Sequence, residues 1–170
     1  EPRTRFDLAL ECGDIKVATE TASEINEADC WEKLGAAALQ QGKASVVEKA
    51  YQQCRNFERL SFHYLITGNS EYLGNMLKIA QMRKDRMARY HNALYIGDAE
   101  ERVRVLEEAG QLTLAYLTAK TNGLQADVER LAGRIQENGG KIPDVPKSAS
   151  LLQPPAPIYR MGDWPEVDVG

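Results

Sequence analysis

The sequence is poor in the residue types that build most catalytic, metal and membrane sites. Its 170 residues include only 2 histidines and 3 cysteines, and no apolar run approaches the ~20 residues that a membrane-spanning helix needs. Lys and Arg number 21 against 25 Asp and Glu, which gives a net charge of −4. This balance gives no electrostatic reason to expect a nucleic-acid partner. The sequence also lacks a signal-type apolar start, which predicts a cytosolic protein or a piece of one.

The few cysteines and histidines are placed unfavourably for a metal site or a disulfide framework. Cys12, Cys30 and Cys54 are an odd number without a CxxC pair, which predicts three reduced thiols that pack in helices. His63 and His91 have no Cys, Asp or Glu four residues away on a helix face. Because a structural zinc ion needs four such ligands, we expect no metal and no cofactor.

The most informative pattern is the recurrence of glycine after helix-like segments. Five glycines follow one another at intervals of 29, 26, 29 and 26 residues: Gly13, Gly42, Gly68, Gly97 and Gly123. Each reads as a residue just after a helix, where a left-handed conformation ends the helix. The segments Ser45–Glu48 and Asp98–Glu101 fit capping boxes that start new helices, and Asp14 and Asn69 are further N-cap candidates.

A glycine corner in every 26–29 residues predicts stacked helical hairpins. The predicted fold class is all-α, an α-solenoid of about five TPR-like hairpins over residues 1–138. First helices are expected near 4–12, 27–41, 56–67, 86–96 and 111–122, and second helices near 14–24, 45–54, 70–82, 99–108 and 124–137. Because a single hairpin cannot bury its apolar faces alone, the array must be continuous.

Residues 139–170 differ sharply in composition from the rest of the chain. Six of the seven prolines lie there, so we expect an extended, Pro-rich tail without helix. One interpretation is a disordered linker. The other, of equal weight, is a strap whose anchors Leu151, Leu152 and Trp164 lie in grooves of the solenoid or of a partner.

No constellation of residues predicts an enzyme. Phosphate-binding glycine motifs are absent, and Cys54 and His63 lack the third, orienting group of a catalytic triad. We therefore expect no catalytic residue. The densest basic stretch, Arg83, Lys84 and Arg86 with Arg89 beyond it, falls at a corner between hairpins. A solvated turn is the simplest interpretation; the alternative is a contact with an acidic partner or an anionic lipid surface.

Three stretches resemble a known family. They are Tyr51-Gln-Gln-Cys-Arg-Asn-Phe-Glu-Arg-Leu-Ser-Phe-His-Tyr-Leu-Ile-Thr-Gly-Asn69, then His91-Asn-Ala-Leu-Tyr-Ile-Gly-Asp98, and in the tail Leu151-Leu-Gln-Pro-Pro-Ala-Pro157 with Gly162-Asp-Trp-Pro165. These strings resemble the central α-solenoid of the alpha subunit of the COPI coatomer. The resemblance covers about residues 6–165.

The resemblance implies a non-enzymatic scaffold of the COPI vesicle coat, serving retrograde Golgi-to-endoplasmic-reticulum and intra-Golgi transport. It implies pairing with the solenoid of the beta-prime subunit, contact with other coatomer subunits, and peripheral association with Golgi membranes and COPI vesicles from the cytoplasm. The cargo-reading propellers and the epsilon-binding domain of that family have no counterpart in this chain, so no cargo-binding residue is transferred to it.

Three other hypotheses remain open at this stage. The chain resembles, less closely, solenoids of beta-prime itself and of intraflagellar-transport or nuclear-pore subunits. A helical-repeat adaptor that binds a linear peptide on its concave face or through its tail would have similar composition. A regulatory subunit of an enzyme is the third, with the chemistry located in another chain.

Overall fold

The computed structural model describes residues 1–149, which form ten helices joined by short corners. The helices are α1 (Pro2–Glu11), α2 (Ile15–Ile25), α3 (Ala28–Gln40), α4 (Ala44–Gln53), α5 (Phe57–Ile66), α6 (Ser70–Met82), α7 (Arg86–Ile96), α8 (Ala99–Glu108), α9 (Leu112–Thr121) and α10 (Gln125–Glu137). Residues 1–149 contain no strand. The all-α prediction is confirmed, and the predicted helices match the observed ones to within about two residues at each end.

Every helix is followed by a residue in the left-handed conformation. The five predicted corner glycines all have φ between 70° and 78°. A second set lies between the hairpins and has the same sign of φ: Asn26, Arg55, Lys84, Gly110 and Gly139. This second set does not show as a glycine pattern in the sequence, because three of its members are not glycine.

The helix ends are closed by backbone hydrogen bonds. After α7, the N–H of Gly97 donates to the carbonyl of Leu94 at 3.2 Å, and the N–H of Asp98 donates to the carbonyl of Ala93 at 2.8 Å. This pair of bonds is the Schellman motif, which satisfies carbonyls that the helix end would leave unpaired. The same two-bond pattern ends all the described helices except α2, at Gly13, Gly42, Arg55, Gly68, Lys84, Gly97, Gly110, Gly123 and Gly139.

Side-chain caps start some of the following helices. Asp14, Asn56, Asp85 and Asp98 each accept a hydrogen bond from the backbone N–H three residues later. The predicted capping box at Ser45 is wrong, because α4 already begins at Ala44 and Lys43 occupies the N-cap position. Ser45 therefore lies inside the helix, where its hydroxyl cannot cap the first turn.

The described helices divide into two compact units, and the first covers Glu1–Ser70. In it α1 packs on α2, α2 on α3, α3 on α4 and α4 on α5. Small buried residues allow close approach: Gly35 of α3 lies against the ring of Tyr51 in α4, where an added Cβ would stand 2.9 Å from Cε1. Larger side chains with no more than 1% exposure fill the remaining space: Phe6, Cys30, Leu34 and Val47.

The second unit begins at Glu71. In it α7 packs on α8, α8 on α9 and α9 on α10. Its main core cluster comprises Val103, Ala115, Tyr116, Ala119, Val128, Leu131 and Ile135. This sequential packing of neighbouring antiparallel helices, present in each unit, is the arrangement of an α-solenoid.

The first residues after α10 are described, and they pack on the core of the second unit. Residues 141–146 form no helix or strand, as the proline content predicted. Ile142 and Val145 are half-buried and lie against the cluster formed by α8, α9 and α10. The predicted division into a solenoid over 1–138 and a tail over 139–170 stays a prediction, since most of that tail lies outside the described residues.

Candidate functional surface

The most extensive polar network of the second unit centres on Glu101, which is only 3% exposed. Asp98 caps α8 by accepting from the Glu101 N–H at 3.0 Å. The Glu101 carboxylate is bonded by Arg89 of α7, whose Nε and Nη2 donate to Oε1 at 3.0 and 2.9 Å. Gln81 and Arg104 donate further bonds to the same carboxylate, each at 3.3 Å. A buried carboxylate is thus compensated by donors from three helices.

Arg89 also reaches a second acid on α8. Its Nη1 donates to Glu108 Oε2 at 2.7 Å, and its side chain is only 14% exposed. The hydrogen bond to Glu108, with further support from Glu101, raises the pKa of Arg89, and the same contact lowers the pKa of Glu108. Arg89 is therefore engaged within the chain. The residue order alone places Arg89 with Arg83, Lys84 and Arg86, because its acidic partners lie on another helix.

The other three cations of that group lie in the most exposed stretch of the described chain. We call this stretch, Gln81–Met87, the basic corner. All seven residues are exposed, the longest such run among the described residues. Lys84 has φ of 55°, and the Asp85 carboxylate accepts from the Ala88 N–H at 3.1 Å. Asp85, the one acid of the basic corner, thus caps α7. Three cations lie beside it in the sequence: Arg83, Lys84 and Arg86.

Arg102 is a second unusual cation of this unit. It lies on α8, is 5% exposed, and its Nε is buried without a hydrogen-bond partner. Among residues 1–149 no ion pair to Arg102 is formed. Since buried guanidinium groups are normally paired, this residue costs stability in the described structure.

A third charged group joins α8 to α10. Arg130 and Arg134 both donate to the Glu107 carboxylate, and Arg130 also bonds Asp127. Burial alone would raise the pKa of Glu107, but the hydrogen bonds from the two arginines outweigh it, so that its pKa is lowered. The arrangement is a structural ion-pair network at the surface, because both arginine side chains remain half-exposed.

The buried Cys30 thiol and the buried His63 imidazole are poorly suited to act as a metal ligand or a base at neutral pH. Glu27, Asp29 and Cys30 place their ligand atoms within 4.8 Å of one another, but Arg3 bonds both carboxylates. Burial, with Asp29 nearby, raises the pKa of the Cys30 thiol, and a protonated thiol is a poor metal ligand. His63 is 1% exposed, and burial lowers its pKa to about 4.

One open groove is present in the first unit. It has a volume of about 440 Å³ and lies along α1 and α2, lined by Glu1, Thr4, Arg5, Leu8, Ala9, Cys12, Asp14 and Val17. No described helix is long and apolar enough to cross a bilayer.

The predicted tail anchors Leu151, Leu152 and Trp164 lie outside the described residues. The structure instead provides two anchors nearer to α10, Ile142 and Val145. Neither was predicted from the sequence, although their period of three beside two prolines suits an extended segment with one apolar edge.

Short helices that pack in chain order within each unit define the class of this protein as a helical-repeat protein. A family model described as "COPA/B TPR domain" matches residues 1–133. Coatomer subunit alpha-1 of Arabidopsis thaliana is 53% identical over 165 residues, which is 97% of this chain and 14% of that protein.

Two more distant relatives carry the same description. Coatomer subunit alpha of Dictyostelium discoideum is 45% identical over 159 residues, covering 93% of this chain and 13% of that protein. Coatomer subunit alpha of Saccharomyces cerevisiae is 37% identical over 167 residues, covering 97% of this chain and 14% of that protein. The chain belongs to the COPA/B TPR domain family, and the resemblance to coatomer alpha is confirmed. The chain spans only 13–14% of the length of these relatives.

Proposed function

We propose that this chain is a non-enzymatic scaffold segment of the COPI vesicle coat and that it pairs with the solenoid of the beta-prime subunit. The observation that carries the proposal is the 53% identity to a coatomer alpha subunit over 97% of the chain. In this role the segment serves retrograde Golgi-to-endoplasmic-reticulum and intra-Golgi transport. It acts on the cytoplasmic side, peripheral to Golgi membranes and vesicles, together with other coatomer subunits.

The physical character of the described surface supports a role in assembly. Stacked helices offer long flanks for another protein to bind. Large apolar side chains remain exposed on three different helices: Leu8 on α1 is 54% exposed, Phe62 on α5 is 42% exposed and Leu114 on α9 is 50% exposed. Side chains of this kind are suitable anchors for a protein–protein interface.

The pairing is tested by mixing the chain with a beta-prime solenoid fragment and measuring mass by size-exclusion chromatography with light scattering. We expect a complex of one copy of each chain. If no stoichiometric complex forms, the pairing proposal is wrong, and a peptide-binding adaptor becomes the better hypothesis. Titration with a library of linear peptides would then be the next measurement.

Three single substitutions locate the interface: Leu8→Gln, Phe62→Gln and Leu114→Gln. A residue that anchors the complex should weaken binding at least about 10-fold when its apolar side chain is removed. Thr113→Gln, at an exposed residue next to Leu114, is the matched control and should leave the affinity unchanged. If the affinity is unchanged in all three variants, the interface lies on other surfaces of the solenoid.

A further inference from the structure

Arg102 on α8 is a buried cation that has no partner in the described chain. The residue is 5% exposed, and its Nε is fully buried without a hydrogen bond. Its Nη1 and Nη2 also form no hydrogen bond or ion pair with residues 1–149, but these two atoms are not fully buried. The tip of the guanidinium is therefore the part of this side chain that another molecule can reach.

The helices around Arg102 offer it no free carboxylate. Every acid on α8 or at its N-cap is engaged with another group: Asp98, Glu100, Glu101, Glu107 and Glu108. The neighbour in the sequence, Glu101, is neutralised by Arg89 and Arg104. The helices that pack on α8 are α7 and α9, and neither contains Asp or Glu. Since buried guanidinium groups are normally paired, the missing acceptor has to come from outside these helices.

The same hairpin contains an acceptor that lacks a donor. Asn92 of α7 is 3% exposed; its Nδ2 donates to the Ala88 carbonyl at 2.8 Å, and its Oδ1 is buried without a partner. Asn92 lies five residues before the corner Gly97, and Arg102 lies five residues after it. The two residues are therefore at about the same level of the antiparallel pair α7 and α8. A peptide that brings a carboxylate to this level also carries main-chain N–H groups, which are the donors that Asn92 lacks.

We propose that Arg102 is a binding site for one carboxylate of a partner protein, an Asp or Glu side chain on a peptide segment that docks at the hairpin of α7 and α8. A guanidinium presents parallel N–H donors whose spacing matches the two oxygens of a carboxylate. The cation is already shielded from water in the free chain, so that on binding only the carboxylate loses its hydration. This proposal goes beyond the pairing with the beta-prime solenoid and does not depend on it.

A carboxylate suits this site better than a phosphate group or a membrane surface. One guanidinium neutralises one carboxylate, whereas a phosphate monoester carries a charge of up to about −2 and would leave negative charge beside the acids of α8. A phosphate also has no N–H group to offer Asn92. The net charge of −4 on the chain opposes its approach to an anionic bilayer. The observations therefore favour a peptide.

The first test follows the Nε–H signal of Arg102 by NMR while the isotope-labelled chain is titrated with mixed peptides of about seven residues. One peptide mixture has Glu at its central position, and the matched mixture has Gln there. We expect a saturable shift at a concentration at least about 10-fold lower with the Glu mixture, because only Glu forms a charge-assisted hydrogen bond. No saturable shift, or equal shifts with the two mixtures, would overturn the proposal.

Three variants assign the binding to Arg102, with the backbone amide of Val103 as the signal that all of them share. Arg102→Met should abolish the preference for the Glu mixture. Arg102→Lys should keep only part of it, because lysine has the charge but not the planar fork of donors. Arg55→Met removes a cation at an exposed position of the first unit and is the matched control, which should keep the full preference. Equal effects of Arg102→Met and Arg55→Met would overturn the proposal, since the preference would then depend only on the charge of the whole chain.

The same NMR signal distinguishes other sources of an anion. If inorganic phosphate or phosphatidylserine vesicles shift the Arg102 signal and the Glu mixture does not, the site belongs to a phosphate or to the membrane. The triple variant D163N/E166Q/D168N removes acids of the chain itself, in residues outside the described range. If it shifts the Arg102 signal without peptide, the carboxylate comes from this chain and the proposal is wrong. Circular dichroism establishes that each variant is folded, and the comparison of the two mixtures on the unchanged chain decides the question if Arg102→Met is not.

Discussion

The conformation of single residues decides where the helices of this chain end. Gly97 has φ of 78°, and a Cβ added there would meet no atom within 4 Å. Substitution at this corner is therefore opposed by backbone conformation and not by lack of space. Asn26, which is left-handed with φ of 53°, shows that a short polar side chain is tolerated at such a position.

The substitution Gly97→Val should destabilise the chain by about 1–3 kcal/mol, because a β-branched residue strongly resists positive φ. Gly97→Asn should cost clearly less, since asparagine visits this region more readily. Chemical denaturation of both variants measures the difference. Equal losses of stability for the two variants would mean that packing, and not backbone conformation, opposes substitution at Gly97.

Two arginines are largely shielded from solvent, Arg102 and Arg89, and their substitutions should have different effects on stability. Arg102→Met should leave stability unchanged or raise it by about 1 kcal/mol, because it removes a buried, unpartnered Nε and keeps the length of the side chain. Arg89→Met should lower stability by about 2–4 kcal/mol, since it deprives the buried Glu101 carboxylate of its main donors. Thermal denaturation checks both. If Arg102→Met lowers stability as much as Arg89→Met does, the charge of Arg102 is compensated by other interactions in the folded chain.

At the scale of the helices, the sequence predicted where elements lie better than what they contact. The recurring glycines and the apolar periodicity identified all ten helices of the described chain, because helix termination is a local property of the backbone. The side-chain partners are less local. Ser45 matched a capping box and does not cap α4, and Glu101 bonds Arg89, twelve residues earlier and on another helix.

The contact between α3 and α4 provides a test of helix packing. Gly35→Ala should destabilise by about 1–3 kcal/mol, because the new methyl group would stand 2.9 Å from the buried Tyr51 ring. This loss would exceed the gain of about 1 kcal/mol that alanine brings to a helix interior. Urea denaturation measures the balance.

Gly74→Ala is the matched control for that substitution. Gly74 lies inside α6 and has open space where the Cβ would be placed, so alanine should stabilise the chain by about 0.5–1 kcal/mol. Opposite signs for the two variants are the expected result. Stabilisation by both would contradict the close packing of Gly35 on Tyr51.

At the scale of the whole molecule, His63 links stability to pH. Burial lowers its pKa from 6.5 to about 4, so the unfolded chain binds a proton at a pH where the folded chain does not. The contribution of neutral His63 to stability is complete above pH 6.5 and is lost as the pH falls towards 4. We expect the free energy of unfolding to decrease by about 2 kcal/mol between pH 7 and pH 5 from this group alone.

Denaturation at several pH values checks this linkage. His63→Gln should flatten the dependence between pH 7 and pH 5, whatever its effect on absolute stability. His91→Gln, at the other histidine of the chain, is the matched control for loss of an imidazole. A slope unaffected by His63→Gln would assign the dependence to other groups.

The candidate surface as a whole could be predicted from the sequence only in part. The basic residues of the corner were visible in the residue order, since they are neighbours in the chain. It was not predictable that Arg89 is bound within the chain and does not belong to this basic surface, because its hydrogen bond is made to Glu108, nineteen residues later. The anchoring of the tail by Ile142 and Val145 likewise depends on a core assembled from three helices.

The backbone closure of the helix ends has a consequence for how such a chain can change. Where two main-chain bonds finish one helix, the next residue need not be a good cap, and Lys43, Gln111 and Leu124 occupy that position without a side-chain cap. Side chains at these N-cap positions are therefore not needed to close the helix ends. These residues can therefore vary to suit different contacts, while the arrangement of the helices stays the same.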